Sequence, residues 1–301
     1  MRGNHLSVHP IAGTVGAELH GVDISQDLDA DTIGEIRAAL LDHGVIFFRG
    51  QTLDHAQHKR FARRFGDIFI QPNFRGVGAD DEILEIRRQP TDTRIVGESW
   101  HADTTMMAEP PMGAILYGVE VPPYGGDTQF SSLHHAYEAL SDGMKSLLLG
   151  LRAVHSDHMV AGPAHRLNEK RSTKIRQSED WQPTVHLHPV VRTHPETGRR
   201  SLFVNRSYVD RFEDMTVEES RPLLDFLFRH QLRPEFQYAH RWNEGDVLVW
   251  DNLRTLHNAE ADYRADEPRL IKRCQAMADR VFTPEFAHLA REYARPQYHP
   301  A

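Results

Sequence analysis

Two rhythms of apolar residues divide the chain. The first is helical. From Asp31 to His43, Ile33, Ile36, Leu40 and Leu41 fall on one face, with Asp31 as N-cap and Gly44 as the stop. Thr52 opens a second helix whose stripe is His58, Phe61, Ala62 and Phe65, ending at Gly66. Leu133 to Leu151 is a third, interrupted at Gly143. Thr216 and Glu219 form a capping-box pair ahead of a fourth, with Leu223, Leu224, Leu227 and Phe228 on one side.

The second rhythm is short apolar runs closed by Gly, Pro and Asp. Val45–Phe48, Ile83–Arg87, Gly113–Val121, Asp127–Ser131, Phe236–Trp242, Val247–Trp250 and Leu270–Ala276 read as strands. Val185–Arg192 and Ser201–Asn205 flank a turn at His194–Gly198. Short pieces from Val8 to Val22 are broken by Gly13, Gly16 and Gly21. Strands do not alternate regularly with helices, which counts against a Rossmann fold. The pattern predicts a mainly β chain, a double-stranded β-helix (jelly-roll) core with flanking and inserted α-helices. One domain is expected over 1–280, with a polar, basic, aperiodic insertion near 156–181 that reads as a lid, and a C-terminal tail over 281–301.

Composition narrows the function classes. A net charge of −8 over 301 residues argues against nucleic-acid binding. No apolar run is long enough to span a membrane. The single cysteine, Cys274, excludes an intramolecular disulfide, and the absence of a signal segment predicts a cytoplasmic protein. A small-molecule substrate and a homodimer are the expected partners. G-x-G-x-x-G, Walker A, G-x-S-x-G and H-E-x-x-H are all absent.

The chemistry starts at Trp100-His101-Ala102-Asp103. In extended chain, residues two apart point to one face, so His101 and Asp103 are a candidate pair for a first-row divalent metal. Two histidines and one carboxylate with open positions opposite is the set used by non-haem Fe(II) oxygenases. The pair alone is weak evidence among 20 histidines and 43 acidic residues.

Four pieces in order carry more: Trp100–Asp103, Gly125-Gly126-Asp127-Thr128, Trp250 to His257, and Arg269 to Arg273. Together they resemble the taurine dioxygenase/2,4-D dioxygenase (TauD/TfdA) family of Fe(II)- and 2-oxoglutarate-dependent dioxygenases, from roughly Val8 to Ala276. The resemblance implies that His101, Asp103 and His257 ligate Fe(II). It implies that Arg273 pairs with the distal carboxylate of 2-oxoglutarate, that Thr128 adds a hydrogen bond to it, and that Arg269 lies nearer substrate or co-substrate carboxylates. O2 is the second co-substrate, and a carboxylate at Asp103 favours hydroxylation over halogenation. Asp251 and Asn252 read as supporting or turn residues, and His188 as structural.

Substrate candidates by position are Gln71, Phe74, Thr104, Met106, Phe203 and Tyr208. Gln71 and Phe74 stand where taurine-specific members carry histidine and tyrosine. Arg87-Arg88 and Arg94–Gly97 look more like the aryloxyalkanoate branch. The expected substrate is a small organic anion: an aryloxyalkanoate, alkyl sulfonate or alkyl sulfate, cleaved where hydroxylation yields an unstable product. Two other readings stand beside this one. The same ligands could hold zinc for a hydrolase or lyase, or the jelly roll could be a non-catalytic binding protein.

Overall fold

The computed structural model describes residues 6–71, 74, 80–161, 169–175 and 180–277. The tail expected over 281–301 lies outside them, as do 162–168 and 176–179 of the expected insertion. In chain order the elements are β1 (Ser7–Pro10), β2 (Ala17–His20), α1 (Ala30–His43), β3 (Val45–Phe48), α2 (His55–Ala62), β4 (Leu84–Arg88), β5 (Pro111–Glu120) and β6 (Thr128–Ser132). Then come α3 (Leu133–Glu138), α4 (Asp142–Leu149), β7 (Arg152–Ser156), β8 (Val185–Pro189), β9 (Val191–Thr193), β10 (Arg200–Leu202), β11 (Val209–Phe212) and α5 (Val217–His230). β12 (Gln237–His240), β13 (Val247–Asp251), β14 (Thr255–Ala259) and β15 (Arg269–Met277) complete the core.

A seven-stranded sheet in the order β1-β2-β3-β13-β5-β15-β4 packs against the smaller sheet β12-β6-β14, and a further three-stranded sheet runs β11-β7-β8. Alternation along its strands builds two cores at once. Ile46, Phe48, Ile115, Val247, Val249 and Cys274 join one cluster with Ile33, Ile36 and Leu40 of α1 and Phe61 of α2. Their neighbours Val45, Phe47, Ala114, Leu116, Leu248, Trp250 and Ile271 point the other way and meet Phe130 of β6. A sheet covered on both faces has strands that are apolar throughout, which is why β3 and β13 read as unbroken hydrophobic runs. Each fully buried side chain of this size contributes roughly 1.5–3 kcal/mol. β5 and β13 approach so closely at Gly113 that an added Cβ would lie 2.0 Å from the Trp250 carbonyl oxygen.

Several boundaries differ from the sequence reading. Asp29, not Asp31, caps α1, its carboxylate accepting from the Thr32 N–H, while Gly44 ends the helix in the left-handed region at φ 70° as expected. Asp54 caps α2 rather than Thr52, through a capping box with Gln57, and the helix stops at Ala62. The third helix is two: Ser141 caps α4 after a break at Ala139, while Gly143 is inside it. The Thr216–Glu219 capping box is present. β7, β11 and β14 went unread because each is short and mixes polar with apolar residues.

The His194–Gly198 turn is no surface loop. His194, Glu196 and Thr197 are buried. Glu196 receives a two-pronged ion pair from Arg37 of α1, at 2.8 and 2.5 Å, and His194 Nε2 lies 2.9 Å from the Asp251 carboxylate. His194 Nδ1 accepts from the Glu196 and Thr197 N–H groups, which puts its proton on Nε2, toward Asp251. The turn thus ties α1 to the end of β13.

Buried neutral histidines make the fold sensitive to acid. His58 of α2 donates to the Ile115 carbonyl at 3.0 Å, and burial pushes it down to about 4. Burial likewise pushes His155 of β7 down to about 3. In the unfolded chain both titrate near 6.5. Below that pH the unfolded chain takes up protons that the fold refuses. Stability is therefore full above pH 6.5 and falls as pH drops toward 4. For His58 the loss is about 2 kcal/mol at pH 5. Urea midpoints at pH 7.5 and 5.0 should show the drop, and His58→Gln should shrink it; equal slopes for both proteins would exclude His58 as a source.

Candidate active site

The His101–Asp103 segment is not a strand. His101 forms an isolated antiparallel bridge with His257. Each N–H donates to the other's carbonyl, at 3.0 and 2.8 Å. This is a hydrogen-bonded cross-strand pair, so both side chains leave the same face, and their ring centroids lie 4.1 Å apart. His257 therefore sits within a strand of its own, β14, rather than trailing β13. Asp103 follows in a turn, and Thr104 takes φ 49°, a strained value for a β-branched residue.

That turn is held from several sides. The Asn252 amide accepts from the Asp103 N–H at 2.7 Å and donates to the Asp103 carbonyl at 2.9 Å. The Thr105 hydroxyl lies 2.9 Å from His155 Nδ1 and 3.3 Å from the Asn205 amide nitrogen. Asp103 is thereby fixed by backbone and neighbours, which leaves its carboxylate available.

Asp103 Oδ1 lies 3.5 Å from His101 Nε2 and 3.9 Å from His257 Nε2. Among the described residues, His101, Asp103 and His257 form the group able to hold a metal ion, their ligand atoms within 4.8 Å of one another. His101 Nδ1 lies 2.6 Å from the Ser99 carbonyl, to which it donates, so Nε2 keeps its lone pair for a metal. His257 Nδ1 is buried without a hydrogen-bond partner, and packing orients its ring, with the Trp250 centroid at 4.5 Å.

Electrostatics put Asp103 and His257 in ligand form. Burial would push the Asp103 carboxyl up, but the Arg273 guanidinium and the His101 hydrogen bond hold it well below the usual carboxylate range. Burial and the neighbouring His101 push His257 down to about 3. An anion and neutral imidazole, with no thiolate, fit a first-row dication such as Fe(II).

A cavity of about 280 Å³ opens over this triad. Gln71, Phe74, Thr104, Met106 and Tyr208 line it, as do Thr128, Arg269 and Arg273. Phe203 is outside the lining, buried against the rings of His155 at 5.4 Å and His188 at 5.2 Å. Burial and the Asp103 charge push the Tyr208 phenol up, so it stays protonated.

β15 supplies the floor, its odd residues facing inward. Arg273 Nη1 donates to Asp103 Oδ2 at 3.2 Å, and Gln275 Nε2 donates to the same oxygen at 3.0 Å. Arg269 is buried over the Trp242 ring, 5.9 Å from its centroid. Trp242 Nε1 in turn donates to Thr128 Oγ1 at 3.0 Å. Burial pushes the Arg269 guanidinium down, and no carboxylate pairs with it among the described residues.

Residues 7–275 match the family described as Taurine catabolism dioxygenase TauD, TfdA family. The chain belongs to the TauD/TfdA family. An α-ketoglutarate-dependent sulfate ester dioxygenase of Pseudomonas putida is 37% identical over 273 residues, 89% of this chain and 88% of that protein. An α-ketoglutarate-dependent 2,4-dichlorophenoxyacetate dioxygenase of Cupriavidus pinatubonensis is 30% identical, over 91% of this chain and 98% of that one. The crystal structure of a taurine dioxygenase from Burkholderia xenovorans superposes with a TM-score of 0.75 at 38% identity, covering 91% of each chain.

This TauD/TfdA protein is thus a jelly-roll dioxygenase dependent on α-ketoglutarate (2-oxoglutarate), with a His-Asp-His triad for Fe(II). The zinc-hydrolase and non-catalytic readings fall away. Among the described residues no helix is long and apolar enough to cross a membrane.

Two cavity or supporting residues, Gln275 and Arg171, are not marked out by the sequence, and a third, Asn252, is marked only as a supporting or turn residue. Gln275 carried a signal, being two positions beyond Arg273 on one strand. Asn252 was seen, but its grip on the Asp103 backbone was not. Arg171 lies in a stretch without periodicity and gave no signal.

Proposed function

We propose that this dioxygenase oxidises a small organic anion with an aliphatic body, a primary alkyl sulfate ester fitting the cavity best. The observation that carries this is the lining. Its charged members are Arg94, Arg171, Arg269 and Arg273 against Glu98 and Asp103, a surplus of two positive charges. A metal dication and dianionic 2-oxoglutarate cancel each other, so the surplus remains for the substrate. Ile86, Ile95, Val96, Met159, Val160 and Ile175 make the apolar wall chiefly aliphatic.

His101, Asp103 and His257 would hold Fe(II), which with 2-oxoglutarate and O2 supplies the oxidising power for C–H hydroxylation while 2-oxoglutarate becomes succinate and CO2. Arg269 and Thr128 are assigned to the distal carboxylate of 2-oxoglutarate. The resemblance gave Arg273 the ion-pairing part, but Arg269 shares Trp242 with Thr128, whereas Arg273 is engaged at Asp103. Arg273 then serves the anionic group nearest the metal. Tyr208 stays neutral and excludes water beside Asp103.

The 156–181 insertion is read as the lid of this cavity. Met159, Val160, Ala161, Arg171 and Ile175 all line it. Its second part is fastened to β4 and the loop beyond: the Ser172 N–H and hydroxyl donate to the Asp92 carboxylate at 2.9 and 3.0 Å, and the Arg87 N–H donates to the Thr173 hydroxyl at 2.9 Å. Arg171 is presented immediately before these anchors as the cation for the substrate's anionic head. An ester hydroxylated at the carbon bearing the sulfate oxygen collapses to aldehyde and sulfate.

The second reading is an aryloxyalkanoate. Phe74, Tyr208 and Trp250 in the lining could face an aryl ring. Succinate release measured across alkyl sulfates, taurine, phenoxyacetate and both 2-phenoxypropionates separates the two. Alkyl sulfates should stimulate most, with matching sulfate release. Arg171→Met should raise their KM by ~10-fold with kcat nearly unchanged. Strong stimulation by phenoxypropionates and none by alkyl sulfates overturns the assignment.

A further inference from the structure

Asp103 meets the metal site with one oxygen and the protein with the other. Oδ1 faces both imidazoles, at 3.5 and 3.9 Å. Oδ2 accepts from Gln275 Nε2 at 3.0 Å and from Arg273 Nη1 at 3.2 Å, while Arg273 stands 3.5 Å from Oδ1. Gln275 is buried on the inward face of β15, and Asn252 clamps the Asp103 backbone through two hydrogen bonds. The carboxylate is therefore held at its backbone and at one oxygen, with the other directed to the ligand group.

We propose that Gln275 is a positioning residue that keeps Asp103 a one-oxygen ligand of the metal. Carboxylates bind metals through one oxygen or two. Two imidazoles and a single oxygen leave three positions of an octahedron, which is what a chelating 2-oxo acid and O2 require. A second Asp103 oxygen on the metal would take one of them. Of the two donors to Oδ2, Arg273 is a cation beside the site and is drawn away when a ligand anion arrives. Gln275 is neutral, is not competed for by that anion, and drains less charge from Oδ1 than a second cation would. The proposal rests on Asp103 as a metal ligand and on Arg273 as the anion binder nearest it.

Gln275→Met keeps the length and removes the donor; Gln275→Asn keeps the amide but withdraws it by one methylene. Each is prepared beside wild type, with thermal unfolding as the check on folding. Mn(II) affinity is read by electron paramagnetic resonance. Binding of 2-oxoglutarate to the anaerobic Fe(II) protein is read from the visible charge-transfer absorption of an Fe(II)–2-oxo acid chelate. The expected result is Mn(II) affinity within about threefold of wild type, with 2-oxoglutarate chelation weakened at least tenfold in both variants. Unchanged chelation in a folded variant overturns the role of Gln275. Parallel loss of Mn(II) affinity and melting temperature also overturns it, in favour of a purely structural part. Wild-type protein that binds no Mn(II) would instead remove the ligand reading of Asp103 on which the proposal rests.

Discussion

His257→Ala is expected to abolish succinate formation, with activity at least ~1,000-fold below wild type, and to lower metal affinity more than ~100-fold. Residues that merely support a ligand cost 10–100-fold in metal affinity or in activity when removed, and His257 is one of three ligands. Its place is set by the backbone: the paired hydrogen bonds with His101 survive the substitution, because both belong to the main chain. The side chain leaves a gap beside Trp250 and Phe130, whose rings it packs against at 4.5 and 6.2 Å. A Tm loss of several degrees is therefore expected and must be separated from loss of chemistry. Succinate release and Mn(II) binding measured well below that Tm make the separation. Wild-type turnover, or wild-type Mn(II) affinity, in the folded variant would remove His257 from the triad.

The sequence was informative where chemistry or periodicity repeats. The strands β3, β5 and β13 show as apolar runs because they are buried on both faces. The triad could be found because two of the four recognisable pieces, Trp100–Asp103 and Trp250–His257, hold its residues. What stayed hidden is what tertiary structure alone creates. β14 reads Thr-Leu-His-Asn-Ala, half polar, because its inward residues serve the site rather than the core. His101 and Asp103 were expected to share a face through strand geometry. They do converge, but by a bridge to His257 followed by a strained turn at Thr104. The buried Arg37–Glu196 pair joins residues 159 positions apart, which no local pattern could report. Phe203 sits beside the right strands, but it packs between two histidine rings.

Arg269 brings fold and function together, since a buried guanidinium without a carboxylate is costly to the protein alone. Arg37 solves that problem with Glu196, and Arg273 with Asp103. Among the described residues Arg269 has the Trp242 ring and the charge of Asp127, with no ion pair to a carboxylate. A binding site for a ligand carboxylate accounts for the cost. Arg269→Leu should therefore raise the KM for 2-oxoglutarate about 100-fold, the effect of roughly 3 kcal/mol for losing one side of a buried charge pair. At saturating 2-oxoglutarate, kcat should change little, since the distal carboxylate is remote from the reacting carbon. The melting temperature of the ligand-free protein should hold or rise, because an unpaired buried charge has been replaced by an apolar side chain. Thr128→Val should act in the same direction but only about tenfold, as one hydrogen bond to a charged group is worth about 1.5 kcal/mol at the low end. Arg273→Leu should mainly damage substrate binding. If Arg273→Leu raises the 2-oxoglutarate KM and Arg269→Leu leaves it unchanged, the two arginines exchange roles, and the anion nearest the metal is read by Arg269.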